Sequence, residues 1–349
     1  MTQTFEFGLD TFGDVTAGPE GRLLTHAQVI GNVVAEGVLA DEVGVDAFGV
    51  GEHHRPDFSV SAPEVVLAGI AARTRRIKLG SAVTVLSSDD PVRVFERFST
   101  LNAVSYGRAE VTLGRGSFTE SFPLFGYDLA DYEVLFEEKL EIFAALVRQG
   151  VVTWQGRTRA PLTNQRVFPP VDGGPLRVRI GVGGSPESVV RAARYEFPLA
   201  LAIIGGDPAR FRPYVDLYHR AFAQLGKPVQ PIAVHSPGYV AASDEQARDE
   251  YWQGYKAMHD RIGAERGWPP MTRAAFDREV EHGALHVGAP EAVARKIAKT
   301  AKALGLARFD LKYSAGTLAH DKLMRCIELY GTRVIPMVRE LLARELSEV

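Results

Sequence analysis

The chain has 349 residues, with 40 Lys and Arg against 43 Asp and Glu, a formal net charge of −3 and 46% hydrophobic residues. That is the balance of a soluble globular protein, and without a basic arm it speaks against general nucleic-acid binding. One cysteine, Cys326, leaves no disulfide framework, zinc knuckle or cysteine redox pair; without a basic-apolar leader or a long apolar run, a cytoplasmic protein with no membrane span is expected.

Strand-sized apolar runs alternate with helix-sized amphipathic stretches. The first run, Phe5-Glu6-Phe7-Gly8-Leu9, precedes a helix predicted over 25–43, which stacks Val29, Val33, Gly37 and Ala40 on one stripe before Gly44 ends it. The second strand, 47–51, runs into Glu52-His53-His54-Arg55-Pro56, and a second helix opens on Pro63. A third strand over 77–86 and a helix over 91–105 follow, then a fourth strand over 109–113, a Gly/Arg/Ser loop and a helix over 132–149. Residues 151–174 break the rhythm and read as a small hairpin on a longer loop. The alternation resumes with strands over 176–182, 199–204, 232–241 and 309–313, separated by helices and, after the seventh strand, by a long polar and helical region. Most runs read as apolar enough to be buried on both faces, the mark of a parallel sheet. Eight such units predict an α/β chain folded as a (β/α)8 barrel, a single domain over 1–349 with insertions after strands four and seven.

In such a barrel, chemistry sits on the loops at the carboxyl ends of the strands. After strand two, Glu52, His53 and His54 are candidates for metal binding, acid–base work or ligand hydrogen bonding. Metal is disfavoured, because neighbours on extended chain point apart and no third convergent ligand is spaced for it. After strand four, Gly114-Arg115-Gly116-Ser117 combines flexible backbone with a guanidinium, a combination suited to an anion. After strand five, Gly183-Gly184-Ser185-Pro186 puts an N-cap serine and free amides at a helix start, where phosphate binds readily. Neither loop is a nucleoside-triphosphate or Rossmann fingerprint. Gly205-Gly206 after strand six leave room for a flat ring, or serve only to start the next helix at Asp207. Trp252, Tyr255 and Trp268 lie in the long region after strand seven, as a lid or as packing for that insertion.

Taken together, Gly51-Glu52-His53-His54, Lys78-Leu79-Gly80-Ser81-Ala82-Val83, Asp90-Pro91-Val92-Arg93, Gly107-Arg108, Gly114-Arg115-Gly116, Phe125-Gly126, Gly183-Gly184-Ser185 and His286-Val287-Gly288-Ala289-Pro290-Glu291 resemble the bacterial luciferase-like flavin monooxygenases, in order along the chain. The resemblance implies reduced FMN at the carboxyl face of the barrel, with O2 and a small organic molecule as co-substrates and a separate reductase as a possible source of reduced flavin. It implies phosphate contacts at Arg115, Gly116, Ser117, Gly184 and Ser185, a non-proline cis peptide at Ala82-Val83 beneath the flavin ring, and a catalytic role for His53. Two positions depart from the luciferase pattern. A second phosphate-contacting arginine aligns with Glu133, and a cysteine aligns with Gly114, so light emission is not implied. Relatives that use a deazaflavin keep that cofactor open, and a non-catalytic flavin-binding relative or a metal-dependent hydrolase barrel are the competing readings. Family members commonly pair through the helices after the early strands. Here the second such helix, Glu64-Val65-Val66-Leu67-Ala68-Gly69-Ile70-Ala71-Ala72, is apolar almost all round, so a homodimer is expected.

Overall fold

In the computed structural model, residues 4–18, 20–148, 150–172 and 174–344 are described; Gln149, the expected end of the helix after strand four, lies outside them. Eight parallel strands close into a barrel: β1 (Glu6–Thr11), β2 (Ala47–Val50), β3 (Lys78–Ser81), β4 (Ala109–Gly114), β5 (Arg177–Val182), β6 (Leu199–Ala202), β7 (Ile232–Val240) and β8 (Arg308–Lys312). Each pairs with the next, and β8 closes the ring on β1, with Phe7 opposite Phe309 and Leu9 opposite Leu311. Between strands run α1 (His26–Glu42), α2 (Pro63–Ala71), α3 (Pro91–Val104), α4 (Tyr132–Val147), α5 (Pro186–Arg194) and α6 (Arg212–Leu225). The insertion after β7 contains α7 (Asp244–Arg266) and α8 (Arg273–Glu281), followed by a short strand, His286–Gly288, that pairs with the end of β7. The helices α9 (Pro290–Leu304), α10 (His320–Leu329) and α11 (Ile335–Arg344) complete the ring. Residues 151–174 do carry a hairpin, Val152–Trp154 against Leu162–Gln165.

Local chemistry sets the starts of these helices. Thr25 and Gln28 form a reciprocal capping box on α1, Asp90 caps α3 ahead of Pro91, and Ser185 caps α5 ahead of Pro186. On the amino-terminal side of the barrel, the Asp41 carboxylate accepts the backbone N–H groups of Arg75, Arg76 and Ile77 at 3.2, 3.0 and 2.7 Å, which fixes the turn into β3.

Most strands are buried on both faces, as their apolar runs imply, but one of the two faces also carries charge. Outward residues such as Phe7, Leu9, Phe48, Leu79, Val111, Ile180, Leu201 and Phe309 are fully buried in the hydrophobic core. Alternate positions carry charge instead. Arg308 donates to Glu110 at 2.7 Å and to Asp310 at 2.6 Å, and Arg179 reaches Glu110 at 2.9 Å. Burial opposes ionisation of Glu110, yet Arg179 and Arg308 outweigh it and hold the carboxyl well below the usual range. Burial and the neighbouring Asp10 push Asp310 upward, against the pull of Arg308. Glycine makes the space for these groups: a Cβ on Gly8 would lie 1.7 Å from Asp310 Oδ1, and one on Gly49 would lie 1.9 Å from Asp10 Oδ1. Desolvated charges of this kind persist only when each is paired.

Candidate active site

Strand three stops early. The peptide between Ala82 and Val83 is cis, and pairing resumes at Thr84–Val85 beside the end of β4. Ala82 and Val83 are partly exposed at the barrel mouth, and neighbouring strands present glycine to them. A Cβ on Gly114 would lie 2.5 Å from Val83 Cγ2, one on Gly181 would lie 3.1 Å from Val83 Cγ1, and one on Gly51 would lie 2.8 Å from the Ala82 carbonyl oxygen. Strands two, four and five thus converge on this edge with no side chain between.

The two histidines diverge, as neighbours on extended chain must. His53 enters an aromatic cage, with ring centroids 4.5 Å from Phe12, 4.5 Å from Phe58 and 4.9 Å from Phe118. Its backbone N–H donates to Val60, and its ring has no protein hydrogen-bond partner among the described residues. Burial, reinforced by the Lys312 ammonium and opposed by Asp14, pushes the imidazole down to about 3, so it is neutral at physiological pH. His54 pairs with Glu52 at 2.9 Å and lies edge-on to Phe125. Glu52 is buried in the wall; its second oxygen accepts the Val85 N–H at 2.8 Å, so it ties His54 to the chain just beyond the cis peptide. Its geometry is that of a positioning group.

The anion loops meet at the other end of the mouth. Arg115 lies over the Tyr132 ring and contacts Glu133, and Tyr132 donates its hydroxyl to the Gly116 carbonyl at 2.8 Å. Ser117 is exposed, and its carbonyl accepts from Arg266 at 2.8 Å. Gly184 adopts φ +120°, a conformation that disfavours side chains, and its carbonyl accepts from Tyr214 at 2.8 Å. The Ser185 hydroxyl caps Ser188 at 3.3 Å and donates to Glu187 at 2.7 Å. Gly183 and Gly205 face open space, since a Cβ on either would meet nothing within 4 Å. Gly206 is different. Glu279 of α8 takes its N–H at 3.0 Å, so that amide belongs to the insertion and is not offered to a ligand.

Three features escaped sequence reasoning. His235 on β7 bonds Asp10 on β1 at 2.7 Å, and its ring lies parallel to Phe12 at 6.0 Å. Polar residues inside otherwise apolar strands were the available signal. Buried Lys312 pairs with Asp14 at 2.8 Å and sits 4.7 Å over Phe12. The end of α7 closes onto the mouth: Arg55 grips Glu265 at 2.6 Å, and Arg266 lies 4.7 Å over Phe118. Tyr251, Trp252 and Tyr255 instead pack α7 against Phe276 of α8. Among the described residues no cluster of three or more His, Cys, Asp or Glu is arranged to hold a metal, and no helix is long and apolar enough to cross a membrane.

The sequence profile of the luciferase-like monooxygenases matches residues 11–308. The chain belongs to the luciferase-like monooxygenase family. It is 33% identical over 177 residues to the N-acetyl-S-alkylcysteine monooxygenase of Bacillus subtilis, covering 49% of this chain and 50% of that protein. It is 24% identical over 245 residues to the alkanal monooxygenase alpha chain of Photorhabdus luminescens, covering 68% and 65%. Among solved structures, a Streptomyces bottropensis monooxygenase superposes with TM-score 0.79 at 22% identity, over 95% of this chain and 99% of that one. The oxygenating constituent of the Pseudomonas putida 3,6-diketocamphane monooxygenase, in complex with FMN, gives 0.76 at 19% identity over 95% and 98%. The coenzyme F420-dependent tetrahydromethanopterin reductase of Methanopyrus kandleri gives 0.72 at 17% identity over 95% and 99%. At these identities the structural likeness shows the shared fold.

Proposed function

We propose that this member of the family is an FMN-dependent monooxygenase that acts on a small organic substrate with O2. The observation that carries the reading is the convergence at one barrel mouth of the Ala82-Val83 edge, open space over Gly183 and Gly205, and Arg115, which Glu133 joins to Arg191 on the helix capped by Ser185. That donor set fits a flat ring with a phosphorylated tail: glycines where a ring needs clearance, and a guanidinium with helix-start amides where an anion needs donors. Bound reduced flavin would supply the reducing power and activate oxygen. Arg115, Gly116, Ser117, Gly184 and Ser185 would hold the phosphate, while Ala82, Val83 and Gly205 would line the ring.

His53 acts beside that ring as a neutral imidazole, able to accept one hydrogen bond and to donate another. Phe12, Phe58 and Phe118 keep water from it, and the α7 end closing over Phe118 extends the same dry wall. Glu52 holds His54 and strand three in place. His235, fixed by Asp10, offers a second imidazole to the same mouth.

A deazaflavin-dependent hydride transfer is the second reading, supported by the fold shared with the Methanopyrus kandleri reductase. Anaerobic titration with reduced FMN and with reduced deazaflavin distinguishes the two, followed by oxygen-uptake assays with small ketones, aldehydes and thioethers. Tight binding of FMN with substrate-dependent oxygen uptake is expected; binding of deazaflavin alone refutes the monooxygenase reading, and binding of neither refutes both.

The outward stripe of α2 supports a homodimer. Val65 is 69% exposed, the flanking Ala62 and Ala72 are exposed, and Ala68 and Gly69 between them are half-buried. Light scattering at micromolar concentration should give twice 38.1 kDa, and Val65→Glu should give the monomer. A monomeric wild-type chain refutes the pairing.

A further inference from the structure

Glu133 lies in the first turn of α4, at the anion end of the mouth. Its side chain is 62% exposed, yet both oxygens are engaged: one contacts Arg115 Nη1 and the other accepts from Arg191 Nη2 at 3.3 Å. Each arginine is also held by groups other than Glu133. Arg115 lies on the Tyr132 ring, while Arg191, nearly buried, lies over Phe136, contacts Glu137 through Nε and donates to Ser188 Oγ at 3.3 Å. Two anchored guanidinium groups that reach different oxygens of one exposed anion present the arrangement with which they would grip a phosphate. The charges there already balance, Arg115, Arg191 and Arg194 against Glu133, Glu137 and Glu187.

We propose that Glu133 is a built-in competitor for the ligand's phosphate: it occupies the place between Arg115 and Arg191 that the phosphate takes, and Arg191 is the second phosphate-binding cation. The proposal rests on the flavin reading above. A phosphate that enters must displace the carboxylate from both guanidinium groups, and the displaced charge stays within repulsive reach. The phosphate therefore adds less to flavin affinity than two arginines would otherwise supply.

The test compares FMN with riboflavin, which shares the ring and lacks the phosphate, by quenching of flavin fluorescence at low ionic strength. The ratio of the two affinities isolates the phosphate. Glu133→Gln should raise that ratio at least about fivefold, the effect of one unit charge at contact distance in water, with riboflavin affinity unchanged. Arg191→Gln should lower it by a similar factor. A ratio that is unchanged or lower in Glu133→Gln overturns the proposal, even if Arg191→Gln fails to fold, and so does an equal gain for both ligands. Wild-type protein that binds neither ligand overturns the flavin reading itself and the proposal with it; binding of both with a ratio indifferent to Glu133 sinks the proposal alone.

Discussion

His53 makes a prediction about pH that can be worked through. In the folded chain its imidazole is pushed down from 6.5 to about 3, first by burial among Phe12, Phe58 and Phe118 and then by Lys312. The sign follows from linkage: below 6.5 the unfolded chain takes up a proton that the folded chain refuses, so stability is complete above 6.5 and falls with pH until about 3. Lowering the pH from 7 to 5 passes 1.5 units below the unfolded value, which costs about 2 kcal/mol at 1.36 kcal/mol per unit. The folded imidazole is still neutral at that pH, so the loss is set almost wholly by the unfolded state. Buried His286 is likewise pushed down to about 3 and adds its own loss, so the measurement must be a difference. Urea unfolding of wild type and His53→Gln at both pH values supplies it. Wild type should lose about 2 kcal/mol more than the variant between the two. Equal losses would mean that the ring is protonated normally in the fold, and the neutral-imidazole role would fall.

Three further outcomes follow from the site. Arg115→Ala should weaken FMN by roughly 1.5–3 kcal/mol, the worth of a hydrogen bond to a charged group, and leave riboflavin unaffected in the same quenching titration. Gly114→Ala should destabilise by about 1–3 kcal/mol, since the new Cβ meets Val83 Cγ2 at 2.5 Å, and Val83→Ala should restore most of the loss in thermal melts. His53→Ala should keep the fold but lower turnover by at least ~10²-fold; full turnover in that variant, with loss in His54→Ala, would move the role to the other imidazole.

Much of the fold was legible because its signals are local. Eight apolar runs, the stripe of α1, Pro63, Pro91 and Pro186 at helix starts and the break over 151–174 each depend on residues a few positions apart. The anion loops were legible for the same reason, since glycine beside arginine or a capping serine declares its chemistry within four residues. Nothing local in Ser81-Ala82-Val83-Thr84 breaks a strand over 77–86; the family resemblance alone implies the cis peptide at Ala82-Val83, which the backbone has, where the glycines of strands two, four and five meet it.

The sequence by itself therefore determined the barrel, the order of its parts and the loops that carry polar chemistry. Tertiary structure decided which way each of those groups faces and what it meets. Glu52 and His53 are neighbours, yet one is fixed in the wall by Val85 and the other is caged at the mouth by Phe12 and Phe118. Asp10 finds His235 across 225 positions, and Glu133 bridges Arg115 and Arg191 from 18 and 58 positions away. Gly206, so like Gly205 in sequence, gives its N–H to Glu279. The physical reason is barrel closure: alternate residues of every strand are turned into one small lumen, where Asp10 meets His235, and the helices and the insertion are packed side by side around the mouth, where Glu133 and Glu279 find theirs. No local pattern names those partners.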